Sequence, residues 1–293
     1  MKKLLALGLI LVLVMGVLSG CAGGQKDPNK RALLVVSFGT SYTDTREVTI
    51  EATEKALAEA YPDYDVRRAF TAQTIIDIME ERDGIEVDNP TEAFEKLKKE
   101  GYSEVIVQSL HIMNGAEYDD LVEVAKEYEE AFDKMVMGAP MLTHVEDYHT
   151  VVEALKPQIG ELKENEAVVF MGHGTHHEAN AVYAAMEYVF KDSGMDNVFV
   201  GTVEGYPMID SVLRRLEENE IEKVTLMPFM IVAGDHAEND MGGDEDESWK
   251  TVLKKEGYVV DVYMHGLGEA PGIQQLYIDH AKAAMDFDPT ADH

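Results

Sequence analysis

Val224-Thr-Leu-Met-Pro-Phe-Met-Ile-Val-Ala-Gly-Asp-His-Ala237 has a counterpart earlier in the chain, Val105-Ile-Val-Gln-Ser-Leu-His-Ile-Met-Asn-Gly-Ala-Glu-Tyr118. Each segment is an apolar run of strand length that enters a glycine turn and then polar residues, which is typical of a buried strand. Aligned on Gly115 and Gly234, the segments place Glu117 opposite His236. The match indicates a duplicated α/β unit.

A second pair of matched segments lies upstream of the first. Leu34-Val-Val-Ser-Phe-Gly-Thr40 corresponds to Val168-Val-Phe-Met-Gly-His-Gly-Thr175, which places Phe38 opposite His173. If the two halves face each other, His173 and His236 from one half and Glu117 from the other point into a shared cleft. Imidazole and carboxylate groups brought together in this way are suited to handling a metal ion.

Strands alternate with helices along the chain, which predicts parallel sheets flanked by helices in two Rossmann-like halves. The halves are predicted at residues 31–150 and 151–293. The predicted strands are 32–38, 64–70, 105–112, 167–171, 198–203, 224–231 and 259–264, and the predicted helices are 46–60, 71–82, 91–100, 179–191, 207–218, 249–256 and 271–284. Ligands of such sheets bind at the carboxyl ends of the strands, where the polar clusters fall.

The N-terminus has the pattern of a lipoprotein export signal. Lys2 and Lys3 precede an apolar run to Leu18, and Leu18-Ser-Gly-Cys21 resembles a lipobox. We therefore expect a signal peptide over residues 1–20, a tether over residues 21–30, and a protein held at the membrane by lipidated Cys21, extracytoplasmic on the periplasmic or outer face. Cys21 is the only cysteine, so an intrachain disulfide and a thiolate metal site are excluded.

The charge balance excludes one class of partner. The chain has 56 acidic and 25 basic residues, a net charge of -31. Nucleic acid binding requires clustered lysine and arginine, so we expect no nucleic acid partner.

The candidate site residues lie in three polar segments after predicted strands. Gly172-His-Gly-Thr-His-His-Glu178 places His173 between two glycines, which allow close approach of a ligand. His176 and His177 are either supporting groups or solvated.

Glu204 either caps the next helix or completes, with His173 and His236, a set of two histidines and one carboxylate suited to cobalt, nickel, iron or zinc. Asp235 and His236, at the strand end, are the candidates in the third segment, and Asp240 is expected to cap or pack its loop. The acidic tract Asp244–Glu247 lacks the spacing of an EF-hand.

Five motifs in this order resemble the anaerobic (CbiK-type) sirohydrochlorin cobalt chelatases. They are Ser37-Phe-Gly-Thr-Ser-Tyr-Thr-Asp-Thr-Arg46, Val107-Gln-Ser-Leu-His-Ile112 with Gly115 and Glu117, Met171-Gly-His-Gly-Thr-His176, Gly201-Thr-Val-Glu-Gly-Tyr-Pro207 and Ala233-Gly-Asp-His-Ala237. The resemblance implies a class II chelatase with two chelatase-like halves around a tetrapyrrole cleft. It also implies a metal-chelating lyase that inserts Co²⁺ into sirohydrochlorin for anaerobic cobalamin biosynthesis without a nucleotide.

The resemblance also implies roles for individual residues. His173, Glu204 and His236 would bind the metal, and His173, Glu117 and His236 would be catalytic. Phe38, Tyr42 and Met113 are predicted for the wall of the cleft. Ser37, Thr40, Ser41 or Arg46 are predicted for the substrate's carboxylates, and Arg46, Arg67 and Arg68 for offsetting its negative charge.

The export signal keeps other functions open, because biosynthetic chelatases work in the cytoplasm. The alternative is an extracytoplasmic lipoprotein that binds haem, another tetrapyrrole or a divalent metal for transport or storage. His111, His176 and His177 would be spare ligands for this function. Duplication alone would also allow a two-lobed periplasmic binding protein. Ni²⁺, Fe²⁺ or Zn²⁺ in place of Co²⁺, and a homo-oligomer, stay open as well.

Overall fold

The computed structural model describes residues 26–286. The strands are β1 (Asp27–Ser37), β2 (Asp65–Phe70), β3 (Tyr102–Ser109), β4 (Lys134–Gly138), β5 (Glu166–Gly172), β6 (Val198–Thr202), β7 (Lys223–Pro228) and β8 (Val259–Val262). The helices are α1 (Thr43–Val48), α2 (Ile50–Ala60), α3 (Gln73–Ile78), α4 (Pro90–Glu100), α5 (Ala116–Tyr128), α6 (Val145–Ile159), α7 (Ala181–Asp192), α8 (Ile209–Glu218), α9 (Trp249–Lys255) and α10 (Pro271–Asp286). The predicted signal peptide and Cys21 lie outside the described residues.

The strands form two parallel sheets with the same topology. The strand order is β2-β1-β3-β4 in the first sheet and β6-β5-β7-β8 in the second. In each sheet the first strand of the half lies between the second and the third, so the order reverses beside β1 and beside β5. This confirms the predicted α/β class with two Rossmann-like halves. It also places a switch point, the usual ligand position in such sheets, at the carboxyl ends of β1 and β3 and of β5 and β7.

The central strands are buried on both faces, as their continuous apolar sequences predict. Residues Leu33 to Val36 of β1 and Val168 to Met171 of β5 are at most 1% exposed. One face of each sheet packs with the other half in a shared apolar core, and the opposite faces have cores of their own. The shared core holds the two sheets next to each other, which positions their carboxyl-end loops to meet.

Several elements differ from the sequence prediction. Strand β1 begins at Asp27, inside the tether predicted over residues 21–30. The Asp27 amide donates to Gly101 O at 2.9 Å, which joins this residue to the fold. The single helix predicted over residues 46–60 is divided at Thr49, whose hydroxyl donates to Thr45 O and competes with the helical backbone. Helix α5, strand β4 and helix α6 had no predicted counterpart.

The last helix lies against the first sheet, although it follows the second sheet in sequence. Helix α10 packs on β3, β4, α2 and α6. The Tyr277 hydroxyl donates to Leu110 O at 3.1 Å, and the Tyr61 hydroxyl donates to Ile278 O at 2.7 Å. Helix α6 also spans the predicted boundary at residue 150. The halves of the sequence are therefore interleaved in space by α6 and α10.

No helix within residues 26–286 has the length and apolar character needed to cross a membrane.

Candidate metal-binding site

Two histidine rings meet at the switch point of the second sheet. His173 follows β5 directly, and His236 lies in the segment after β7, the strand paired with β5. The ring centroids are 4.5 Å apart, and the rings are nearly perpendicular, at 83°. The structure thus brings together the two histidines that the sequence analysis selected.

The hydrogen bonds of the two rings leave the same nitrogen free on each. His173 Nδ1 lies 2.8 Å from Gly174 O, and His236 Nδ1 lies 2.6 Å from Asp240 Oδ2. A carbonyl and a carboxylate only accept, so Nδ1 carries the proton in both rings. In the neutral rings Nε2 then has the lone pair. Imidazole nitrogens of this kind suit a borderline divalent metal, so the two rings are a candidate ligand pair.

The loop that carries His173 depends on the two glycines beside it. A Cβ on Gly172 would stand 2.2 Å from the Tyr183 ring, and a Cβ on Gly174 would stand 1.3 Å from Glu204 O. Gly174 also has φ +86°, which disfavours other residues. The buried Tyr183 hydroxyl accepts from the Gly174 amide at 3.3 Å, and burial raises the pKa of Tyr183 to about 12. Tyr183 is therefore a packing residue beneath the loop.

Glu204 lies beside His173 through its backbone. Its amide donates to His173 O at 2.7 Å, so the loops after β5 and β6 are joined at this point. Its side chain is exposed, and helix α8 begins after Met208, which excludes Glu204 as the cap of that helix. Within residues 26–286, no three His, Asp or Glu side chains are grouped closely enough to hold a metal ion. The described geometry assembles the histidine pair, and the third ligand stays a prediction.

Glu117 lies in the first turn of α5, which faces the histidine-rich loop from the first half. Asp119, on the same turn, has Oδ2 3.4 Å from His177 Nε2. His177 Nδ1 accepts from the Ala179 amide at 3.1 Å. His177 is thus a cap and a contact between the halves, whereas His176 is exposed.

A second contact between the halves lies on the His236 side. The Tyr42 hydroxyl donates to Asp235 Oδ1 at 3.1 Å, and this bond raises the pKa of Tyr42. The Ala233 amide donates to Thr45 Oγ1 at 3.1 Å. A cavity of about 280 Å³ lies between these loops, lined by Ser41, Tyr42, Thr43, Asp44, Thr45, Arg82, Ala233 and Glu238.

The predicted substrate-binding residues differ in accessibility. Phe38 is 50% exposed and Tyr42 is 38% exposed, whereas Ser37 is 4% and Met113 is 9% exposed. Phe38 and Tyr42 can therefore contact a ligand without rearrangement, and the roles of all four stay predictions.

The arginines expected to offset the substrate's charge are engaged elsewhere. Arg46 is buried beside Glu51, with Nε 3.2 Å from Oε1. Arg67 pairs with Glu100, and Arg68 pairs with Glu51 and Glu54. Arg82, which was not predicted from the sequence, is the arginine that lines the cavity. Its side chain is 53% exposed, and it pairs with Asp83 at 2.7 Å.

His111 is a partly buried neutral histidine two residues after the end of β3. Its Nδ1 bonds to Ser109 Oγ at 2.8 Å, and its Nε2 is buried without a partner among the described residues. Burial lowers the pKa of His111 to about 4. A ring enclosed in this way is a packing group rather than a spare metal ligand.

Asp119 was not predicted from the sequence, and Asp240 was expected only to cap or pack its loop. Asp119 and Asp235 contact the opposite half, and Asp240 binds the His236 ring. A four-residue spacing on a helical turn, as in His236 and Asp240, is the sequence signal that would have pointed to the last of these.

Comparison with known proteins shows the family of the chain. The family model described as cobalt chelatase (CbiK) matches residues 31–286. A sirohydrochlorin cobaltochelatase of Salmonella typhimurium is 42% identical over 257 residues, which cover 88% of this chain and 97% of the relative. The sirohydrochlorin cobaltochelatase CbiKC of Nitratidesulfovibrio vulgaris is 34% identical over 262 residues, 87% of this chain and 91% of the relative.

A solved structure shares the fold at low sequence identity. SirB from Bacillus subtilis, solved with Fe³⁺, superposes with a TM-score of 0.59 at 17% identity, over 88% of this chain and 96% of SirB. The match of the family model over both sheets, together with relatives above 30% identity over nearly their whole length, shows that this chain belongs to the CbiK family of cobalt chelatases.

Proposed function

We propose that the protein is a sirohydrochlorin cobaltochelatase, a lyase that inserts Co²⁺ into sirohydrochlorin during anaerobic cobalamin biosynthesis and uses no nucleotide. The observation that carries the proposal is the pair of Nε2 atoms at the switch point of the second sheet, in a chain that the family matches over residues 31–286. The two relatives that cover most of this chain have the same activity in their names.

In this proposal the histidines present the metal to the ring. Co²⁺, the metal substrate, binds Nε2 of His173 and of His236, which leaves positions open for the pyrrole nitrogens. The tetrapyrrole enters from the first half, with the exposed Phe38 ring against its face. Transfer replaces the imidazole nitrogens by ring nitrogens one at a time, so the metal is never without ligands.

Two protons must leave the pyrrole nitrogens when Co²⁺ enters, so that the ring nitrogens gain the metal and lose both N–H bonds. Glu117, in the first turn of α5, and Glu204, beside His173, are the carboxylates that we propose as proton acceptors on the two sides of the cleft. We propose Glu204 in addition as the oxygen ligand of Co²⁺; its carboxylate becomes free to accept a proton once the metal has passed to the ring. A carboxylate ligand would neutralise part of the metal's charge during binding.

Metallation of sirohydrochlorin tests the activity directly. Purified protein incubated with sirohydrochlorin and CoCl₂ should accelerate the absorbance change of metallation well above the rate without protein. Ni²⁺, Fe²⁺ and Zn²⁺ under the same conditions rank the metals, and we expect activity with more than one because imidazole accepts all four. A rate with protein equal to the uncatalysed rate for every metal would contradict the proposal.

The alternative function, a lipoprotein that binds haem or metal without turnover, is not favoured. Nε2 of His111 is buried and His177 is engaged with Asp119, so of His111, His176 and His177 only His176 has an exposed side chain. Both named relatives are chelatases.

We propose that lipidated Cys21 anchors the protein to the membrane outside the cytoplasm. The support is the sequence Leu18-Ser-Gly-Cys21 after an apolar run. The full-length protein should then partition into the detergent phase, and Cys21→Ser should move it to the aqueous phase. Equal partition of the two proteins would contradict lipidation at this cysteine.

A further inference from the structure

The two site histidines are held by different acceptors. His173 Nδ1 donates to a backbone carbonyl, Gly174 O, at 2.8 Å. His236 Nδ1 donates to a carboxylate, Asp240 Oδ2, at the shorter distance of 2.6 Å. A carboxylate acceptor is the stronger of the two, because the hydrogen bond is assisted by charge. The two rings therefore have the same tautomer, but the hydrogen bond at Nδ1 is stronger in His236 than in His173.

The turn that carries Asp240 is held by packing on one side. Residues Ala237–Met241 form a single turn of π-helix, and the Gly242 amide donates to Ala237 O at 3.0 Å. Ala237 and Met241 are fully buried in the outer core of the second sheet. The backbone that carries both His236 and Asp240 is thus attached to the sheet, which keeps the two partly exposed side chains, 37% and 44% exposed, within hydrogen-bonding reach of each other.

The same turn is held on its other side by hydrogen bonds. Asp235 Oδ1 accepts from Asn239 Nδ2 at 2.9 Å and from the Tyr42 hydroxyl at 3.1 Å. Asp240 takes no part in this second group, because its Oδ2 is committed to His236. The carboxylate lies at Nδ1, on the side of the ring away from the lone pair of Nε2, so it supports the ring rather than joining it as a ligand.

We propose that Asp240 is a positioning residue for metal insertion. It accepts the Nδ1 proton of His236, holds the ring in the tautomer with a free Nε2, and makes that nitrogen a stronger ligand for the entering metal. The inference rests on the proposed function for its role in catalysis. The effect of Asp240 on metal binding by His236 does not require that the protein be a chelatase.

Binding of Co²⁺ alone tests the inference without the tetrapyrrole. Titration of purified wild type, Asp240→Ala and Asp240→Asn with CoCl₂ gives their dissociation constants. We expect Asp240→Ala to weaken Co²⁺ binding about 10- to 100-fold, the usual effect of removing such a partner. Asn keeps an oxygen acceptor without the charge, so Asp240→Asn should fall between the wild type and Asp240→Ala.

Two further readouts separate positioning from a general structural effect. Nitrogen-15 spectra of the histidines should show Nδ1–H for His236 in the wild type and a mixture of tautomers in Asp240→Ala. In the metallation assay, KM for Co²⁺ should rise while KM for sirohydrochlorin stays unchanged. Asp244→Asn is the matched control, because it removes an exposed carboxylate of the same loop that pairs with Lys250.

The outcomes distinguish this inference from the proposed function. Unchanged Co²⁺ affinity in Asp240→Ala, or an equal loss in Asp244→Asn, would overturn the role of Asp240. An inactive wild type that binds Co²⁺, with weaker binding in Asp240→Ala, would remove the proposed chelatase activity and leave the positioning of His236 in place.

Discussion

Replacing His173 or His236 by alanine should reduce kcat/KM for Co²⁺ insertion by roughly 100-fold or more. Loss of a group that merely supports a ligand typically costs 10- to 100-fold, and loss of the ligand itself should cost at least the upper value. The two ring centroids lie 4.5 Å apart. In the proposed mechanism both rings bind the metal, so each variant leaves only one imidazole ligand. The measurement is the initial rate of metallation at several Co²⁺ concentrations.

The matched control is His176→Ala, which removes an exposed histidine from the same loop as His173. It should keep wild-type activity, since its side chain lies outside the ligand pair. His173→Ala and His236→Ala should also have the same free energy of unfolding as the wild type, because each ring makes only a local hydrogen bond. Full activity in both variants would remove the histidine pair from the mechanism while leaving the assignment to the family unaffected.

The histidine pair could be predicted from sequence because two simple signals coincide there. His173 and His236 each follow a continuous apolar run, and parallel strands place the residues after such runs at the same edge. Pairing of β5 with β7 then makes them neighbours. A strand buried on both faces has a continuous apolar sequence, which made β5 and β7 recognisable. The same kind of run identified β1 and β3.

Elements with less burial were harder to predict. Strand β4 is a five-residue edge strand, and only Gly138 in it is buried. Helix α5 buries only Leu121, Ala125 and Tyr128 in a largely acidic sequence. Neither segment has the dense periodicity that distinguishes an element from a loop. The missing assignments of β4 and α5 follow from this weak pattern. Helix α6 was missed although it buries Val151, Val152, Leu155 and Ile159 on one face.

The sequence does not show which acidic residue of a polar loop binds a site histidine. Asp240 and Asp244 lie in the same polar loop, yet the first binds His236 and the second pairs with Lys250 at the surface. The difference arises from the π-helical turn, which returns Oδ2 of Asp240 to the ring. Contacts between the halves, such as Asp119 with His177, depend on the docking of two sheets and have no local sequence signal.

Replacing Gly174 by alanine should damage both the fold and the site. A Cβ here would stand 1.3 Å from Glu204 O and 2.4 Å from Glu204 C, and φ is +86°. We expect a loss of about 4 kcal/mol or more in the free energy of unfolding, since strain and overlap with backbone add. Activity should fall about 100-fold even in the folded fraction, because His173 would be displaced. Urea unfolding and the metallation assay measure the two effects.

Gly84→Ala separates conformational strain from collision. Gly84 also has a positive φ, +66°, but an added Cβ would meet nothing within 4 Å. Its replacement should cost about 1 to 2 kcal/mol from backbone strain alone and leave metallation unchanged. A Gly174→Ala variant no less stable than Gly84→Ala would show that the loops after β5 and β6 can separate without cost. We expect the opposite, because the atom that the new Cβ meets belongs to the backbone and cannot rotate away. The hydrogen bond from the Glu204 amide to His173 O, at 2.7 Å, would have to break, and the ligand-bearing loop would move with it.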